Sequence, residues 1–160
     1  DHLPDEKDAY EDALKDACIL NVYIKRFSNL YLLSRNKGFL PLSELRLSFE
    51  ESLDYLRLKN KVTSVHWDGT GGVDAASGIG LYAAFEKILE SYLSSLSAVF
   101  VHLKEDGNLY RLAIYVESAE DISLLNELKA LFPADGVTLS EGSEDGMKVW
   151  TFSFGKEVGA

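Results

Sequence analysis

Apolar residues recur along this chain with two different periods, and the points where one gives way to the other divide it into elements. From Glu6 to about Arg35 there is no Pro or Gly, and Tyr10, Ala13, Ala17, Leu20, Ile24, Phe27 and Tyr31 recur at alternating spacings of three and four, a heptad seam. A helix of roughly 30 residues would be about 45 Å long at 1.5 Å per residue, longer than most globular helices and suited to pairing with a second copy of itself. Leu14, Leu30 and Leu33 add a second apolar face, which leaves intramolecular packing as the alternative. Gly38 then supplies a left-handed C-terminal cap, and Pro41 opens a second helix from about Leu42 to Lys59, with Leu42, Leu45, Phe49, Leu53 and Leu56 on one face.

The period changes to two at Val62–Trp67, which reads as a strand, and Gly69 to Gly80 breaks the pattern. A third helix is expected from about Ile79 to Leu96, burying Leu81, Ala84, Phe85, Ile88, Leu89, Tyr92 and Leu96. Strands at Ala98–Lys104 and Leu109–Glu117 flank Glu105-Asp106-Gly107-Asn108, a hairpin connection. A helix from about Ala119 to Phe132 is stopped by Pro133, and a last strand pair, Val137–Glu141 and Met147–Phe154, closes around Gly142 to Gly146. The order is helix, helix, then β α β β α β β. It predicts an α+β chain, a long N-terminal helix followed by a two-layer α/β sandwich with helices gathered on one face of the sheet.

Composition narrows the functional classes. The chain of 160 residues is 46% hydrophobic with a single Cys, so it can build a core, has no internal disulfide framework and suits the reducing cytoplasm. It begins at Asp1 without Met and reads as a fragment, so membrane contact is expected only through a region upstream. The net charge of −10 is uneven: −5 over residues 1–16, +4 over 17–61 and −9 over 62–160. An acidic C-terminal part repels phosphate backbones, and no nucleic-acid partner is expected. Cys18 stands between Ala17 and Ile19-Leu20 on an apolar stretch of helix, which points to packing. His66 and His102 fall in strands without a second ligand at metal spacing, so each reads as an ordinary sheet position.

Several segments resemble the cytoplasmic end of bacterial sensor histidine kinases, a dimerising helix joined to an ATPase domain of the Bergerat fold. Ile24 to Leu30, Leu42-Ser43-Glu44-Leu45 and Tyr55-Leu56 look like the helix and linker entering that domain. Leu81 to Leu89 looks like the helix bearing the family's N box, Leu112–Glu117 the strand leading to its first glycine box, and Val137–Gly146 with Val149–Phe154 the closing hairpin. The resemblance implies a dimerisation helix over 1–38 and an ATPase-like domain with a mixed sheet over 39–160.

The departures from the family's motifs bear on chemistry. The N box supplies Glu and, four residues on, a Mg²⁺-binding Asn. Aligned on Leu81-Tyr82 those positions hold Lys87 and Ser91; shifted by one they hold Glu86 and Glu90. The glycine box, Asp-x-Gly-x-Gly, is Glu117-Ser118-Ala119-Glu120-Asp121, so Glu117 replaces the acid that meets adenine, and a Cβ stands where backbone would approach the ligand. The lid between Ser118 and Glu127 carries Glu120, Asp121 and Glu127, with Lys129 as the nearby counter-charge. Asp68-Gly69-Thr70-Gly71-Gly72 imitates a glycine box but precedes the N-box helix and lacks a P-loop's Lys; it reads as a flexible connector.

The resemblance with these departures implies a two-component signalling module, a homodimer through the N-terminal helix with a response regulator or other signalling protein as partner. No catalytic residue, metal or cofactor is expected. Glu86, Glu90, Ser91 and Glu117 are the remnant of an ATP/Mg site. The alternative is an active kinase using Mg-ATP, with Glu86 or Glu90 at the metal and Glu117 at the purine. A third reading, outside the family, is an α+β domain that binds a small molecule or protein.

Overall fold

The structure, a computed structural model, describes residues 24–32, 35, 38–132 and 136–156. Most of the expected dimerisation helix, with His2, Cys18 and the seam residues from Tyr10 to Leu20, lies outside the described residues. What is described of it, residues 24–32 (α1), is helical and turns residues of both apolar faces inward: Leu30 of the second face is buried and Phe27 of the seam packs on the core, while Ile24, Tyr31 and Leu32 are exposed. Arg26 fastens α1 to the next helix through an ion pair with Glu51.

The elements that follow are β1 (Phe39–Pro41), α2 (Leu42–Leu58), β2 (Val62–Asp68), β3 (Gly72–Asp74), α3 (Ala75–Tyr92), β4 (Leu96–Asp106), β5 (Leu109–Ser118), α4 (Leu125–Lys129), β6 (Val137–Glu144) and β7 (Met147–Gly155). β1 and β3 form a small antiparallel sheet that buries Leu40 and Val73. The main sheet runs β2-β4-β5-β7-β6; β2 and β4 are parallel with α3 as their crossover, and every other pairing is antiparallel. This is the expected two-layer α+β sandwich with a mixed sheet.

Side-chain alternation divides the sheet. Val99, Val101, Leu103, Leu112, Ile114, Val116, Trp150, Phe152 and Phe154 are buried beneath the helices. Phe49 of α2 contacts Trp67 edge to face at 5.9 Å and Phe85 of α3 at 4.3 Å, joining both helices to β2. All five apolar positions predicted to line α2 are buried.

Some boundaries differ from expectation. α3 begins four residues early, because Asp74 caps it by accepting from the Ser77 N–H at 3.1 Å. Its Gly78 and Gly80, which read as loop, are packing positions: a Cβ at Gly78 would lie 2.6 Å from Leu40 Cδ2, and one at Gly80 2.7 Å from the Phe132 ring. Leu96, assigned above to this helix, begins β4. The helix expected over residues 119–132 shrinks to Leu125–Lys129. β6 continues to Glu144 and turns through Asp145-Gly146 alone, both at positive φ, as a two-residue hairpin requires.

Candidate functional site

The resemblance places a nucleotide between α3 and the chain that follows β5, so these residues define the candidate site. That chain lies against α3 instead of standing clear of it. The Tyr92 hydroxyl, at the end of α3, donates to the Ile122 carbonyl at 2.8 Å and accepts from the Ile122 N–H at 2.7 Å. The Tyr92 ring meets Trp150 of β7 edge to face at 5.6 Å. Further along, Leu124 and Leu128 are buried, and Phe132 rests on Gly80 and on Phe152.

Glu141 ties the same segment to the sheet. Its carboxylate accepts from the Leu124 N–H at 2.7 Å, the Ser123 hydroxyl at 2.7 Å and the Trp150 indole N–H at 2.8 Å. Burial pushes this carboxyl up, but the three hydrogen bonds and the Lys148 charge outweigh it and hold it below the ordinary carboxylate value. Lys148 is bound to Asp121 at 2.6 Å. The polar groups here are therefore paired with one another: Tyr92 with Ile122, Glu141 with Leu124 and Trp150, Lys148 with Asp121. Sequence reasoning placed Tyr92 on the buried face of its helix and gave no role to Lys148 or Glu141. The available signal was Lys148 on the same alternating face of β7 as Trp150, Phe152 and Phe154, a polar residue at the end of an apolar row.

Of the four residues proposed from motif alignment, three lie on α3 and one near the end of β5. Glu86 is buried between α2 and α3, 7% exposed, where it accepts a hydrogen bond from Ser52. Burial, with help from the Glu90 charge and against the hydrogen bonds of Ser52 and Tyr82, pushes its carboxyl up to about 7. Glu90 is one turn on and exposed, and the half-exposed Ser91 returns its hydroxyl to the Lys87 carbonyl at 2.7 Å. Glu117 lies on the helix-free face of the sheet, exposed, accepting from the Ser97 hydroxyl at 2.8 Å. Glu86, Glu90 and Ser91 thus share α3, with the Glu90 charge acting on Glu86, whereas Glu117 stands apart at the end of β5. Among the described residues no cluster of three or more His, Cys, Asp or Glu has metal-site geometry.

The glycine run after β2 is a connector, but a pinned one. Tyr110 donates to the Thr70 carbonyl, the Thr70 N–H donates to Glu105 at 3.2 Å, and Gly71 turns at φ +100°. His66 and His102 are register partners on β2 and β4 and share the helix-free face.

No helix among the described residues is long and apolar enough to cross a membrane. No family model and no curated protein matches the sequence. Solved structures do match in fold. The histidine kinase AdeS of Acinetobacter baumannii superposes with a TM-score of 0.58 at 12% identity, over 98% of this chain and 87% of that one. The histidine kinase domain of the blue-light-activated EL346 protein of Erythrobacter litoralis gives 0.61 at 12%, over 86% and 75%. A bacterial phosphotransferase gives 0.54 at 12%, over 90% and 80%. At such identities the likeness speaks for architecture, and it agrees with the order of elements: the chain has the Bergerat fold of histidine-kinase ATPase domains.

Proposed function

We propose that this chain is a signal-transduction module of a two-component system, a histidine-kinase-like dimer whose ATPase-like lobe serves as a scaffold and does not turn over nucleotide. The observation that carries this reading is the paired state of the candidate site, with Tyr92 closed on Ile122 and Glu141 on Leu124 and Trp150. Opening it for a triphosphate would break hydrogen bonds to buried groups and expose apolar surface. Phosphates would then meet Glu120, Asp121 and Glu127.

In this reading α1 holds the dimer through the seam positions that the lobe leaves exposed, Ile24 and Tyr31, while Leu30 anchors the same helix to its own core. The partner is a second copy and, through it, a response regulator or other signalling protein.

The test is titration of Mg-ATP and Mg-ADP by calorimetry with indole emission followed in parallel, since Trp67 and Trp150 both lie beneath the helices. The expected result is no change in emission. Saturable binding that alters emission would overturn the scaffold reading and favour the active kinase, with Glu86 or Glu90 at the metal and Glu117 at the purine. For the dimer, sedimentation should show self-association that Ile24→Asp and Tyr31→Asp together abolish; a monomer at all concentrations sinks it.

A further inference from the structure

The sheet's helix-free face carries a depression of about 660 Å³, within the range of small-molecule sites. Its floor is built by strand register. One row places His66, His102, Ala113, Thr151 and Ser140 side by side across β2, β4, β5, β7 and β6, and the next places Asp68, Lys104, Arg111 and Ser153. In a chain of net charge −10, two imidazoles, an ammonium and a guanidinium are thus gathered on one patch.

Their partners do not use them up. Lys104 has no carboxylate at ion-pair distance among the described residues, although Asp68 is its neighbour in register, and its other neighbour is the like-charged Arg111. Arg111 meets Asp106 at 3.0 Å in a pair exposed on both sides, which a ligand can displace at little cost. The His66 and His102 rings touch edge to face at 5.1 Å, and His102 meets Tyr115 at 5.2 Å. Neither imidazole has a hydrogen-bond partner among the described residues. Glu144, the remaining acid at the rim, is engaged by the Tyr115 hydroxyl.

We propose that this face binds a small molecule bearing a phosphate or carboxylate on a flat ring, the anion between Lys104 and Arg111 and the ring against His66, His102 and Tyr115. Arg supplies a planar fork and Lys a point charge for such an anion, and the three aromatic side chains supply the surface on which a ring stacks. The site is on the opposite face of the sheet from the candidate nucleotide position, so the proposal is independent of the scaffold reading.

The probes are phenyl phosphate, benzoate and inorganic phosphate, titrated into the chain while the ring-proton resonances of His66 and His102 are followed. Phenyl phosphate should shift both resonances saturably and raise the His102 titration midpoint, which burial and the His66 charge hold below its ordinary value. Benzoate should do the same more weakly if charge dominates, and inorganic phosphate should bind about tenfold less tightly than phenyl phosphate. Lys104→Gln and Arg111→Gln, both at exposed positions, should each weaken phenyl phosphate by about tenfold with the fold intact by circular dichroism. Shifts that never saturate, or that persist unchanged in both variants, overturn the proposal. Any ATP heat that leaves indole emission unchanged and is lost in Lys104→Gln belongs to this face.

Discussion

The two faces of the five-stranded sheet are built from the same strands, residue by residue in alternation, yet the polar groups at their two candidate sites behave in opposite ways. Under the helices, Tyr92, Glu141 and Lys148 are each consumed by a neighbour in the protein, and the residues between them are apolar. On the helix-free face Lys104, His66 and His102 lack such partners among the described residues. The difference teaches where to look for binding in a fold known for it. Groups that already satisfy one another must be separated before a ligand can use them, whereas unpartnered groups at a depression meet a ligand without that loss.

The sharpest way to break the contrast is to cut into the covered face. Trp150 is fully buried, holds Tyr92 and donates to Glu141, so Trp150→Ala should cost about 3–5 kcal/mol in urea unfolding. A loss below about 1 kcal/mol would mean that this face is loosely packed and that a ligand could enter it. Next in size is Glu86→Gln. The folded-state carboxyl titrates near 7 against an ordinary value of 4.5, so the unfolded chain gives up its proton first as pH rises. Stability from this group is therefore greatest below about 4.5, declines as pH climbs to about 7 and stays low above it. Glu86→Gln should leave stability at pH 4 unchanged and raise it by up to about 3 kcal/mol at pH 8. Chemical denaturation at the two pH values checks this, and an equal effect at both would remove the buried-acid explanation.

Glu141 should respond with the opposite slope. Its carboxyl is held low in the folded state, so its contribution is present above the ordinary carboxylate value and fades as pH falls through the folded one. Tyr92→Phe keeps the ring and removes both bonds to Ile122, which should cost about 1–2 kcal/mol. The same variant should gain no affinity for Mg-ATP, because the charges of the following segment remain; a gain would show that this hydroxyl alone shuts the site.

How much of this the sequence carried depends on how local the cause is. The α2 stripe and the β4–β5 hairpin depend on nearby residues and were readable, and the resemblance led to the right fold although no motif is intact. β1 and β3, three residues each, are too short to show a period. The helix expected at 119–132 shortened because Tyr92 and Glu141, distant in sequence, take up backbone groups of Ile122 and Leu124. The candidate site was hardest to read for the same reason. Alignment to a motif assigns residues by order, and Glu86, Glu90 and Glu117 fell on a helix interface, an outer helix face and the far face of the sheet. His66 and His102 became neighbours only through the parallel register of β2 and β4, which no spacing along the chain records.

The smallest expected effect is on the open face itself, and its smallness is the point. Lys104 stands in register between Asp68 and Arg111, so its replacement by Gln removes one favourable and one unfavourable neighbour in exposed surroundings. The two contributions oppose, and Lys104→Gln should change stability by no more than about 0.5 kcal/mol, with little dependence on salt. Urea unfolding at low and high ionic strength measures both quantities. A loss of more than about 1 kcal/mol would mean that Lys104 is held by the fold as firmly as Lys148 is by Asp121. The two faces would then differ in exposure alone. A near-zero change in stability, set beside the loss of phenyl phosphate binding in the same variant, would show a side chain kept for a ligand and not for the fold.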